Sequence, residues 1–356
     1  MEREKKSGRW GLSAVLKVAA VMSAFLMLGL SLVPKSPTEA VMVNMKGESK
    51  RLVPVGRAVG IKLFSDGVLV VGISSIETER GPQCPGRACG LREGDLITHI
   101  NGREVDTIEE VQAAVSSWRE EEMVIQAVRG ERRLQFRAEP VVNDKGVNQL
   151  GVWLRDSMAG IGTMTFYDPD TGLFGALGHG INDVDTAKLM PLESGSIMEA
   201  RVTDVKRGEK GCPGELHGEF ELKQDVGDLY ANTGMGIFGH LTGGETLDQM
   251  EALPVARAEE VTPGEAVIRT NVQGDRVEEF RVRILSVDPT RKGTRNLTLE
   301  ITDPRLLEVT GGIVQGMSGS PIIQDGRLVG AVTHVLVNDP TRGYGIFIEN
   351  MLEAAE

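Results

Sequence analysis

The sequence predicts a mainly β protein of two domains, preceded by one apolar N-terminal helix. Three observations carry this reading. Glycine is abundant, 44 of 356 residues, while aromatic residues make up 4%, a balance that suits short strands and tight turns better than long helices. Two hairpin turn signatures, Asn101-Gly102 and Asp325-Gly326, each follow an apolar strand in a separate half of the chain. A charge-free, largely apolar run from Val18 to Val33 precedes both. Hydrophobic content of 40% supplies material for packed cores, and the length allows two ordinary domains with extras.

The net charge of −12 argues against general nucleic-acid binding. It is unevenly spread: residues 1–36 hold six basic residues against two acidic ones, a local +4, so the remainder carries −16. The three cysteines, Cys84, Cys89 and Cys212, are too few for a disulfide scaffold and lack zinc-knuckle spacing. Cys84 and Cys89 can pair in an oxidising compartment or remain thiols. No cofactor or metal is expected: there is no nucleotide fingerprint and no His-Glu-x-x-His helix.

Residues 1–36 read as a signal or anchor segment. Arg3, Lys5, Lys6 and Arg9 precede the apolar run, and Lys17 can snorkel so that the helix begins near Trp10. The run is long for a signal core and short for a span. Thr38-Glu39-Ala40 makes a poor cleavage site. The basic flank directs the chain beyond the run out of the cytoplasm. Residues 37–52 read as a polar linker.

Between 53 and 140 the pattern is α+β. Gly94-Asp95 turns into the strand Leu96–Ile100, and Asn101-Gly102 supplies the positive φ angles of a tight turn. Asp106 or Thr107 can cap a helix, with Glu109 or Glu110 near its third position. Ile108, Val111, Val115 and Trp118 then share one face. The stretch from Ala88 to Gly102 resembles the signature of PDZ domains. The resemblance implies that Val59-Gly60-Ile61-Lys62 is the loop whose N–H groups receive a peptide terminus, with the peptide extending the next strand. Gly67–Val71 fits the following strand, and residues 81–90 form a small insertion.

From 141 to 356 the decisive motif is Gly316-Met317-Ser318-Gly319-Ser320-Pro321. It resembles the nucleophile turn of chymotrypsin-like peptidases, which implies a double β-barrel. Its glycines permit a sharp bend and let the N–H groups of Gly316 and Ser318 converge as an oxyanion hole. The spacing from Gly311 also matches a phosphate-binding loop, but Met317 stands where lysine is needed and Pro321 blocks the helix. Ser320 is the weaker nucleophile candidate, since it falls where that turn has glycine.

A serine nucleophile needs a base. His179 ends an apolar strand between glycines, in Leu177-Gly178-His179-Gly180-Ile181, and precedes the serine in the chain. His334 lies one strand beyond the serine and is expected to pack beside the site. His99 belongs to the first domain, and His217 and His240 sit in glycine-rich stretches without a supporting pattern. For the third member, Leu297, Leu299, Ile301 and Asp303 alternate, which places Asp303 on the inward face of a strand, facing His179. Asp183 and Asp185 are alternatives, and so is a purely local turn at Asp303-Pro304.

The layout as a whole resembles the stage IV sporulation protein B family of serine peptidases. The resemblance rests on Leu177–Ile181, on Ile301-Thr302-Asp303-Pro304 and on Thr310–Pro321, and it covers the chain after residue 53. It implies a His179–Asp303–Ser318 triad and export across the inner forespore membrane into the intermembrane space. It further implies self-cleavage near the N-terminus, then cleavage of a membrane-bound regulator that frees an intramembrane metalloprotease to process pro-sigma-K. The expected partners are that regulator, the chain itself and the membrane, with no nucleic acid. The alternative reading is an exported, catalytically inactive PDZ adaptor.

Overall fold

The computed structural model describes residues 50–356 except 120–121, 243–246 and 248. The apolar run, and with it the expected N-terminal helix, lies outside the described residues. Among the described residues no helix is long and apolar enough to cross a membrane.

Strand β1 (Arg51–Pro54) leads into the long β2 (Ala58–Ile73). Then come helix α1 (Pro85–Cys89), β3 (Leu96–Ile100), β4 (Arg103–Glu104), helix α2 (Ile108–Ser116), β5 (Met123–Arg129) and β6 (Arg132–Ala138). A small hairpin of β7 (Val141–Val142) and β8 (Asn148–Gln149) precedes β9 (Val152–Tyr167). The chain continues with β10 (Leu173–Ala176), β11 (Ser194–Lys206), β12 (Glu215–Thr233), β13 (Gly236–Leu241) and β14 (Leu253–Pro254). The last part holds β15 (Gly264–Gln273), β16 (Arg276–Val287), β17 (Leu297–Ile301), helix α3 (Pro304–Thr310), β18 (Pro321–Gln324), β19 (Arg327–Leu336), β20 (Asp339–Phe347) and helix α4 (Ile348–Ala355).

Two barrels result. Strands β9, β10, β13, β12, β11 and β2 pair in that order, and the further pairing of β2 with β9 closes them into a ring. Strands β15, β16, β17, β20, β19 and β18 form the second closed barrel. Closure removes open edges. The second core packs Ile268, Val282, Leu299, Val332 and Phe347, among others. Each such side chain, taken fully from water, contributes roughly 1.5–3 kcal/mol. Phe166, Phe238, Ile346 and Met351 fill a further cluster that joins strands of both barrels to α4.

The PDZ domain grows out of the first barrel. Strand β2 pairs through Ala58–Phe64 with Thr163–Ser157, is interrupted near Gly67 (φ +101°), and resumes pairing at Leu69–Ile73 with Arg155–Val152. Its second half continues the sheet into β3, β5 and β6. Helix α2 carries the expected capping box: Thr107 accepts the Glu110 N–H at 3.2 Å, and the Glu110 carboxylate accepts that of Thr107 at 3.1 Å. Val111 and Val115 pack with Val68, Ile97 and Ile125, and Ile108 and Trp118 lie against the same cluster.

Core packing runs across the expected limits of 53 and 140. Val53, Val55, Val59 and Ile61 pack with Phe174 and Ile197 in the first barrel. Leu150, Val152 and Leu154 pack with the PDZ core. Two long strands that serve both units explain the exchange. Cys84, Cys89 and Cys212 are free thiols.

Candidate active site

His179 and Ser318 come from different barrels and line one cavity of about 640 Å³, together with Gly316, Thr333 and His334. After β10, Leu177 (φ +70°) and Gly178 (φ +68°) turn left-handed in succession and swing His179 out of the sheet. A buried leucine in that conformation costs on the order of 1–3 kcal/mol. Its N–H is held by the Thr163 carbonyl at 3.2 Å. Asp183, fully buried and ion-paired with Arg155 of β9, fixes the far side of the same loop.

The His179 Nδ1 lies 2.9 Å from the Gly180 carbonyl oxygen. A carbonyl only accepts, so Nδ1 carries the proton and Nε2 keeps the lone pair, the tautomer a general base requires. Burial lowers the pKa of this ring, opposed by the Gly180 hydrogen bond. The ring centroid of His334 is 5.3 Å away, with the two planes inclined at 43°. Burial and the neighbouring His179 and Arg295 push His334 down to about 4.

Ser318 follows helix α3 and a loop with positive φ at Gly311, Gly312, Gly316 and Gly319. A Cβ at Gly319 would stand 2.0 Å from the Thr163 carbonyl oxygen, so only glycine fits there. The Ser318 hydroxyl donates to the Thr333 carbonyl at 2.8 Å. Gln315 is pinned by N–H donation to Gly214 O at 2.9 Å and acceptance from Leu216 N–H at 2.8 Å, while Met317 N–H donates to Val314 O at 3.2 Å. Among the described residues neither the Gly316 N–H nor the Ser318 N–H makes a backbone hydrogen bond. These two free donors are what an oxyanion hole needs. Ser320 is fully buried and its hydroxyl donates to Met317 O at 2.7 Å, which removes it as a nucleophile.

Asp303 has local partners. Its carboxylate caps α3, accepting the Arg305 N–H at 3.0 Å and the Arg281 N–H at 3.2 Å, and it pairs with the Arg305 guanidinium at 3.0 Å. The Arg305 side chain, then the backbone donors, hold it below the usual carboxylate range. The register sets Thr298, Tyr344 and His334 in one row across β17, β20 and β19. Asp303 lies five residues past Thr298 and two beyond the end of β17. The alternation that would place it inward beside His179 ends with the strand at Ile301. Of the alternatives, Asp183 and Asp185 are both paired with Arg155.

The expected peptide loop is also placed differently. Val59, Gly60, Ile61 and Lys62 pair with β9 on one edge and β11 on the other, so that no peptide strand can add there. An open groove lies instead between α2 and the start of β9, lined by Ile108, Val111, Val115, Val152, Trp153 and Leu154.

Sequence reasoning missed Thr163. Its hydroxyl donates to Gly316 O at 2.8 Å, its N–H to Ser318 O at 3.0 Å, and its carbonyl receives Leu177. One residue thus ties the loop of His179 to that of Ser318, and nothing in its local sequence marks it. Among the described residues no His, Cys, Asp and Glu cluster is suited to a metal ion.

The model of the SpoIVB peptidase S55 family matches residues 146–352, and that of a PDZ domain matches residues 78–129. Among solved structures, the chain is similar to the PDZ domain of an SdrC-like protein from Listeria monocytogenes, at 25% identity over 25% of this chain and 87% of that one, TM-score 0.20. It is similar to the active form of the Rv3671c protease from M. tuberculosis, at 14% identity over 55% of this chain and 73% of that one, TM-score 0.30. It is also similar to the thermostable serine protease AL20 from an extremophilic microorganism, at 11% identity over 55% and 91%, TM-score 0.33. No curated protein matches.

Proposed function

The chain belongs to the SpoIVB peptidase S55 family, a serine peptidase family, and from that premise we propose that it is an endopeptidase in which Ser318 attacks a peptide carbonyl with His179 as general base. The observation that supports this reading is the shared cavity, lined by Ser318, His179 and Gly316, with His179 Nδ1 on the Gly180 carbonyl. The hydroxyl leaves Thr333 O and gives its proton to His179 Nε2 as Oγ bonds to the carbonyl carbon. The carbonyl oxygen becomes an oxyanion between the N–H groups of Gly316 and Ser318. His179 then passes the proton to the departing amine, and water releases the acyl group by the same steps in reverse order. The Gly180 carbonyl holds the base in register, the part expected of Asp303.

In this reading the protein acts in sporulation. It is exported across the forespore inner membrane behind its N-terminal segment, cuts itself near that segment, and then cuts a membrane-bound regulator to trigger pro-sigma-K processing. Family membership and the match of the family motifs support this role. The PDZ domain supports a protein substrate, and its groove between α2 and β9 is the surface we assign to peptide recognition.

Purified full-length protein incubated alone tests the proposal. N-terminal trimming is expected in the wild type and is expected to be absent in Ser318→Ala and His179→Gln. Trimming that persists in Ser318→Ala would contradict it, and an intact wild-type chain that still binds tail peptides would favour the adaptor.

A further inference from the structure

The cavity that Ser318 and His179 share is lined by a single permanent charge. Among its described lining residues Arg295, just before β17, is the only lysine, arginine, aspartate or glutamate. Much of the remaining wall is apolar: Pro213, Ile313, Val314, Val335 and Val337. Elsewhere on the second barrel arginines are matched with carboxylates, as Arg283 is with Glu265 and Arg342 with Glu300. Arg295 has neither an ion pair nor a hydrogen bond among the described residues; its one partner is the ring of Tyr344.

Resting on the Ser318 and His179 reading above, we propose that Arg295 is a specificity-determining residue: it selects substrates with an acidic side chain within a few residues of the cut bond, while the apolar wall takes an apolar residue beside that bond.

Three observations converge. First, the guanidinium is held in advance. It lies over the Tyr344 ring of β20, 5.1 Å from the centroid. Stacking of this kind restrains a long side chain before any ligand arrives. It occupies the face of the guanidinium and leaves the N–H donors along its edge, the edge that pairs with both oxygens of a carboxylate. Second, the backbone beneath Arg295 is pinned to the attacking group. The Ser318 hydroxyl donates to Thr333 O at 2.8 Å, and the Thr333 hydroxyl donates to Thr294 O at 2.7 Å. On the other side Asn296 is buried, and its side-chain oxygen accepts from Asn350 of α4 at 3.1 Å. Arg295, between Thr294 and Asn296, therefore has a fixed place relative to Ser318. Third, the apolar wall is preformed. The Gly211 N–H donates to Val337 O at 2.8 Å and the Gln315 N–H to Gly214 O at 2.9 Å. The turn between β11 and β12 is thereby locked to the end of β19 and to the loop before Ser318. A basic side chain entering this cavity meets no carboxylate, and the one permanent charge it meets repels it.

The test uses the full-length protein and a peptide library made by digesting unrelated proteins, with the cut sites read by mass spectrometry. The wild type is expected to cut beside apolar residues. At a fixed neighbouring position it is expected to enrich aspartate and glutamate over their amides by about threefold to tenfold, an enrichment that shrinks as salt rises. Arg295→Gln is expected to lose the enrichment. Arg295→Glu is expected to reverse it toward lysine and arginine, a gain that a misfolded variant cannot give. Wild-type cutting without acidic enrichment would overturn the proposal, and so would an enrichment indifferent to salt, which needs no variant to detect. Enrichment that survives in Arg295→Gln would overturn it as well, as would a wild type that a fluorophosphonate labels at Ser318 but that cuts none of the library. A wild-type chain that is never labelled removes the Ser318 reading itself, and this one with it.

Discussion

The backbone N–H of Thr163 donates to the carbonyl of Ser318 at 3.0 Å, which joins the strand shared by the PDZ domain and the first barrel to the Ser318 loop of the second. The Thr163 hydroxyl, on Gly316 O, holds the adjacent peptide of that loop. Thr163→Val keeps the shape and deletes the donor. The expected cost in stability is about 1 kcal/mol, whereas turnover is expected to fall about tenfold, since a misaimed oxyanion donor is felt mainly in the transition state. Parallel measurement of the urea midpoint and the self-cleavage rate checks this.

Asp303 is expected to act on stability, through the start of α3. Asp303→Ala removes the cap and leaves Arg281 and Arg305 without their carboxylate, at a cost of about 1–2 kcal/mol. Asp303→Asn keeps a capping acceptor and is expected to lose less. The sign with pH comes from its depressed pKa. The stabilisation is complete above the ordinary value of 3.8 and is lost as pH falls through the folded value. Acid unfolding curves of the two variants measure it.

His334 gives the opposite kind of group in a different window. Its folded pKa of about 4 lies below the ordinary 6.5, so between those values the unfolded chain binds the extra proton. Stability is therefore complete above pH 6.5 and declines as pH falls toward 4, by up to about 3 kcal/mol before allowance for solvent. In His334→Phe that slope is expected to flatten, a change visible in melting temperatures taken across the window.

Peptide recognition separates the two candidate surfaces. A charge placed on the exposed rim of the α2 groove, as in Gln112→Glu, is expected to weaken binding of a fluorescent tail peptide by repelling its carboxylate. Lys62→Ala, in a strand paired on both edges, is expected to leave it unchanged. Fluorescence anisotropy on the full chain reads both.

What the sequence disclosed was local chemistry. The turn at Asn101-Gly102, the capping box at Thr107 and Glu110, and the positive-φ glycines around Ser318 all obey short-range rules, and all are present. What it concealed was pairing across distance. An apolar, glycine-containing run such as Val59–Lys62 reads equally well as a peptide-binding loop and as a central barrel strand, and its partner Ala159–Gly162 lies beyond the whole PDZ segment. Asp303 takes local partners for a related reason. Leu297, Leu299 and Ile301 alternate inward as expected, but Pro304 begins a helix and turns the next acidic residue into its cap. Thr163 was invisible because its role exists only once two barrels meet.

The central claim, that Ser318 is the nucleophile of a working peptidase, is tested most directly by locating a fluorophosphonate adduct by peptide mass spectrometry. One adduct per chain, on Ser318 and lost in Ser318→Ala, is the expected result. A folded wild-type chain that carries no adduct, or one that carries it on another residue, would contradict the assignment.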